Sequence, residues 1–191
     1  LTLLAEAKSD ALFVKLDFRN AFNSLHRTAI RQAVTARVPT LTRVVDTLCS
    51  PHISTDHAWY DCEGRRRPIS AECGVDQGCP LSPALFGIGI APALEEFCAE
   101  LRGRDSGAYV LAYLDDVHFV IAPQFVEWAI GRARAIFAPL GLELHAGKLT
   151  VWSPNPSRLP PLPESVELAV NFTCLGASAL WVPDECARVD L

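Results

Sequence analysis

The chain has 191 residues, half of them hydrophobic and a fifth charged, and carries a formal net charge of −5. A length and composition of this kind allow one sizeable globular core. They contain no apolar run long enough to span a membrane, since the longest, Leu81 to Leu94, is interrupted by Gly87, Gly89 and Pro92. The acidic balance also argues against a self-sufficient binder of nucleic-acid backbones, because that affinity comes from Lys and Arg.

Lys8 and Asp10 fall inside the first apolar stretch, so no signal peptide is expected there. The chain has 7 cysteines and no CxxC pair, a usage that fits a reduced, intracellular compartment better than a disulfide framework. It opens on Leu1 and contains no methionine, so it is expected to be a segment of a longer protein.

In chain order, Ala11 to Asp17 reads as a buried strand ending in an acid. A helix is expected from Leu25 to Val38, stopped by Pro39, and a second from Thr40 to Cys49. His57–Cys62 and Pro68–Cys73 read as two strands joined through Glu63-Gly64-Arg65-Arg66. The loop Gly74 to Pro83 launches a long apolar helix to about Leu101, with a bend expected near Pro92. Tyr113-Leu114-Asp115-Asp116, inside an apolar run, predicts a tight hairpin with both acids at its tip. Phe125 to Leu140 has helical core spacing, and Leu149 to Trp152 reads as a strand. A proline-rich connector, Pro154 to Pro163, leads to a terminal strand pair, Val166–Phe172 and Ala177–Val182. With inserted elements set aside, the order is the β-α-β-β-α-β pattern of a ferredoxin-like α+β fold, an antiparallel sheet backed by helices. That topology lays the first strand beside the central hairpin, so Asp17 and Asp115 share one sheet edge. Adjacent carboxylates are costly without a cation to neutralise them. The bland alternative, two solvated turn aspartates, is not excluded by the hairpin alone.

Three stretches, Lys15 to Asn23, Gly74 to Pro83 and Tyr113 to Asp116, resemble successive palm motifs of reverse transcriptases. Gly141 to Lys148 is similar to the fourth motif and Phe172 to Gly176 to the fifth. The wording Asn-Ala-Phe-Asn after Asp17, and Gln-Gly-Cys-Pro-Leu-Ser-Pro from Gln77, is most similar to non-LTR retrotransposon enzymes. The resemblance implies a palm-centred segment without the upstream fingers or the thumb. It implies a two-metal nucleotidyl transferase using Mg²⁺, with Mn²⁺ as a substitute. Its partners are an RNA template, a DNA or RNA primer and deoxynucleoside triphosphates, and its place is the nucleus. By the same resemblance Asp17 and Asp115 bridge the metals, Asp116 is a supporting third acid, and the Phe18 carbonyl helps to hold one metal. Lys148 is set to neutralise or protonate the leaving pyrophosphate. Phe22 is placed under the incoming sugar as a gate against ribonucleotides, and Gln77 and Gly78 lie against the nucleotide and the templating base. The pattern departs from the family at Asp76, His145 and Cys174, none of them a metal ligand. Two other functions stay open at this point: a catalytically silent remnant or nucleic-acid-binding fragment, and an RNA-templated RNA polymerase.

Overall fold

A computed structural model of the chain describes residues 10–48, 57–69, 73–161, 168–174 and 177–180. It divides into two compact units, one made of Leu1–Asp17, Glu96–Ala135 and Leu144–Leu191, the other of Phe18–Glu95 and Ile136–Glu143.

The first unit is organised on a four-stranded sheet of β1 (Leu12–Leu16), β4 (Tyr109–Tyr113), β5 (Asp116–Ile121) and β6 (Thr150–Trp152), in the order β4-β5-β1-β6. Every neighbouring pair is antiparallel. This is the strand order of the split β-α-β-β-α-β fold, as the sequence pattern predicts. β1 is buried at every position but Lys15, and β5 at every position but Asp116. Central strands covered on both faces read as near-continuous apolar runs rather than alternating ones. On one face Phe97 of the helix Ser82–Arg104 meets Phe119 edge to face at 5.4 Å. On the other, Phe13 and Trp152 pack with Phe172 of β7 (Asn171–Cys174), the tryptophan stacked on Phe172 at 5.8 Å. Truncating one of these rings costs roughly 3–5 kcal/mol. β7 pairs with β8 (Ala177–Leu180) as the expected terminal hairpin; β7 begins later than the sequence suggests and runs on to Cys174, while residues 166, 167, 181 and 182 of the expected arms lie outside the described residues. Leu175 and Gly176 of the fifth motif lie outside the described residues.

The second unit contains α1 (Ala21–Ser24), α2 (Arg27–Arg37), α3 (Thr42–Leu48) and the hairpin of β2 (His57–Tyr60) and β3 (Arg66–Ile69). The helix expected from Leu25 to Val38 is α2, which starts two residues later because buried Leu25 and then His26 leave helical geometry, and the polar stretch before it forms the short helix α1. β3 begins two residues earlier than expected. Asp61 accepts hydrogen bonds from the Glu63 and Arg65 backbone N–H groups and from the side chains of Arg65 and Arg67, which closes the turn before Arg66. Helix α4 (Ser82–Arg104) spans 23 residues and runs through Pro92, where the sequence suggests only a bend. Pro92 is exposed, so water can satisfy the carbonyl freed by its missing N–H. Helix α5 (Val126–Phe137) buries Val126, Ala129, Ala133 and Phe137. Among the described residues no helix is long and apolar enough to cross a membrane.

Candidate active site

The acids stand where two registers meet. β4 pairs with β5 out to Tyr113↔Asp116, which leaves a two-residue loop, Leu114-Asp115. Only Asp115 is therefore at the tip, and Asp116 is the first residue of β5, a correction to the expected tip of two acids. Leu114 has φ +56°, positive at the first loop position, where glycine is the usual choice. A bulky residue held there stores backbone strain, which clusters at functional sites. β1 pairs with β5 out to Leu16↔Val117, and one further step of that register sets Asp17 level with Asp116. Alternation then puts Lys15, Asp17, Asp116 and His118 on one face.

The charges on this face are paired. Lys15 Nζ lies 3.0 Å from Asp116 Oδ1, and Lys148 Nζ lies 3.6 Å from Asp17 Oδ1. Lys148 is presented by the short turn Ala146–Lys148, which is tied to the strand edge where the His145 N–H donates to the Asp17 carbonyl at 2.8 Å. That bond uses backbone only, so histidine in place of the family's asparagine does not disturb it. Asp115 is exposed, and among the described residues it has no recorded ion pair. His118 is buried, with no hydrogen-bond partner of ordinary geometry at either ring nitrogen. Desolvation first, and the Lys15 ammonium second, push its pKa down, against the pull of Asp116 and the Thr173 backbone. Sequence reasoning passed over Lys15, although its position two residues before Asp17 on a strand is the signal that the two share a face.

Among the described residues no group of three or more His, Cys, Asp or Glu side chains is gathered so as to hold a metal ion. The donor set is open rather than caged. Asp17 and Asp116 are partly exposed at one sheet edge, with the exposed Asp115 on the adjoining turn. This chemistry fits Mg²⁺, which takes one or two protein carboxylates and completes its shell with water and substrate phosphates.

Phe22, Gln77 and Gly78, expected on the nucleotide side, lie in the second unit. Asn20 adopts the left-handed conformation that asparagine tolerates, and the turn it starts carries Phe22. The half-buried Phe22 ring stacks on Phe86, centroids 4.6 Å apart and planes within 13°. The loop after Cys73 is fastened to this segment: the Gly74 N–H donates to the Leu25 carbonyl, the Val75 N–H to the Phe22 carbonyl, and Arg27 Nε to the Gly74 carbonyl. Gly74 has φ +73°, and a Cβ there would overlap the Asn23 Cα and the Phe22 carbonyl oxygen. Glycine is required at that position, which in sequence marks only the start of a loop. Gln77 and Gly78 are exposed, and the backbone at Gly78, with φ +93°, has nothing within 4 Å of where a Cβ would stand. The Cys79 thiol is held below its usual range mainly by the Leu81 backbone N–H and the Ser82 hydroxyl at the start of the long helix. Phe18 buries its ring edge-on to Phe137 at 5.1 Å, so its side chain is core and only its backbone is free for a site role.

A family model described as reverse transcriptase (RNA-dependent DNA polymerase) matches residues 1–175. The chain belongs to the reverse transcriptase family. No curated protein matches it. Among solved structures, the apo telomerase of Candida tropicalis truncated from its C-terminal domain is similar to this reverse transcriptase chain, with a TM-score of 0.67 at 14% identity over 94% of this chain and 36% of that one. The Candida albicans telomerase in complex with a fragment of telomeric RNA gives a TM-score of 0.68 at 10% identity, over 94% of this chain and 32% of the telomerase. A third, the Candida tropicalis telomerase with the same kind of RNA fragment, gives 0.63 at 13% identity over 98% and 32%. Likeness at such identity concerns the fold, and the chain spans about a third of those telomerases.

Proposed function

We propose that the chain is the palm-centred part of an RNA-templated DNA polymerase of the non-LTR retrotransposon kind, joining deoxynucleotides to a primer 3′-hydroxyl. The observation that carries this reading is the register that sets Asp17 level with Asp116 beside the strained Asp115 turn. Asp17 and Asp115 are the residues to hold Mg²⁺, with Mn²⁺ as a substitute and the Phe18 carbonyl as a further oxygen donor. When bound, two such ions activate the attacking 3′-hydroxyl and stabilise the leaving oxygen. The chain's own groups do the rest. Lys148 brings an exposed positive charge to the edge where phosphate charge would arrive. Phe22, fixed against Phe86, offers a flat wall to the sugar. Gln77 and Gly78 present an open loop to the nucleotide and the templating base. Tyr109, Leu111 and Tyr113 leave an exposed apolar stripe along β4 that ends at the acids, a surface suited to sugars and bases.

The test is primer extension on an RNA template by the complete parent enzyme, with Asp17→Asn beside the unaltered protein. Loss of ~10³-fold or more in extension is expected, with RNA binding retained. Extension within tenfold of the unaltered enzyme would sink the assignment. The 191-residue chain alone is expected to bind RNA weakly, with strong salt dependence, and to extend little, given its net charge of −5.

A further inference from the structure

The two lysine–aspartate pairs at the sheet edge are not equivalent. Lys15 stands opposite His118 on β5 and Thr150 on β6, a strand position fixed from both sides. The Asp116 carboxylate is its diagonal neighbour, within reach of a long side chain. Their contact is 3.0 Å and Lys15 is 27% exposed, whereas Lys148 reaches Asp17 at 3.6 Å and is 61% exposed. The longer contact is beyond hydrogen-bond range and well solvated, so an arriving cation displaces it readily. The shorter one is an ion pair within hydrogen-bond distance, from a partly buried lysine, and is the harder to break.

We propose that Lys15 is a positioning residue that holds the Asp116 carboxylate against the sheet and answers its charge, leaving divalent cations to Asp17 and Asp115. The inference rests on the polymerase reading, but its test reads ion binding rather than synthesis. Freed from Lys15, Asp116 would offer a divalent cation an extra carboxylate beside Asp17 and Asp115. Removing the lysine therefore tightens metal binding while it impairs the enzyme, an opposite movement that loss of fold does not produce.

The measurement is Mn²⁺ binding to the 191-residue chain, followed by paramagnetic resonance of the free ion, with folding checked by circular dichroism. Lys15→Met is expected to tighten binding roughly three- to tenfold, the scale of a partly exposed charge pair. Lys15→Arg keeps the original affinity, and adding Asp116→Asn to Lys15→Met cancels the gain. Unchanged or weaker binding by folded Lys15→Met overturns the proposal. So does a gain that survives in the double variant, since Lys15 would then act as a bare charge. If Lys15→Met does not fold, Lys15→Gln carries the same comparison. Binding that Asp17→Asn leaves intact would remove the polymerase reading and this inference with it. Binding that depends on Asp17 but ignores Lys15 would overturn the role of Lys15 alone.

Discussion

The acids of this reverse transcriptase chain and the segments that carry Phe22, Gln77 and Gly78 are held by different physics. Asp17 and Asp116 ride on strands whose ladder of backbone hydrogen bonds fixes their level and face, and Asp115 sits on the shortest loop that can join two such strands. Phe22, Gln77 and Gly78 ride on a four-residue helix and a loop, held by a ring stack and a few backbone bonds. A ladder tolerates loss of one side chain without moving its neighbours. A loop fastened at three points does not. Chemical substitutions should therefore be informative among the acids, whereas in the loop even a methyl group tests the architecture.

The largest effect is expected at the hairpin tip. Asp115→Asn in the parent enzyme should lower primer extension by ~10³-fold or more and leave the melting temperature unchanged, because the exposed side chain supports no packing. A fall in melting temperature comparable to that of a core truncation would mean that the tip is structural. Gly74→Ala should behave in the opposite way. Its Cβ meets backbone rather than a movable side chain, on a left-handed residue, at a cost of roughly 3 kcal/mol or more. Thermal unfolding checks this, and a melting point within a degree of the original would show that the loop is not fastened as described.

Phe22→Ala separates the two regions more finely. The ring is half-buried, so truncation should cost less than the roughly 3–5 kcal/mol of a fully buried phenylalanine. If the ring also walls off a 2′-hydroxyl, the ratio of kcat/KM for ribo- over deoxynucleotides should rise by about 10- to 100-fold. An unchanged ratio with a lowered melting point would reduce Phe22 to a partner of Phe86.

The smallest effect concerns the helices behind the sheet. Arg132 makes paired contacts of 2.5 Å with Glu100, and the hydrogen bonds from that guanidinium hold the Glu100 carboxyl below its usual range. A carboxyl whose folded pKa is depressed stabilises the fold above its unfolded value, about 4.5, and that contribution is lost as pH falls through the folded one. Glu100→Gln should therefore lower the melting temperature by about 1–2 °C at neutral pH and by nothing at strongly acid pH, the pair being partly exposed. Equal shifts at both ends would assign the effect to packing instead.

The sequence by itself determined the strand order and the identity of the acids. Apolar runs ending in Asp17 and flanking Asp115-Asp116 are local signals, and they mark these acids as residues at strand ends. It also determined the family, because the quoted motifs keep their order along the chain. What it left undecided depended on neighbours distant in sequence. Which acid sits on the turn was set by the pairing of Tyr113 with Asp116. The break between α1 and α2 was set by burial of Leu25, and the need for glycine at Gly74 by the close approach of the Phe22–Asn23 backbone. Lys15 reads in sequence as one more polar residue in a strand, and only the register between β1 and β5 gave it Asp116 as a partner. A side chain's reach is local, but its counter-charge arrives from another strand, so the pairing of charges belongs to the tertiary structure.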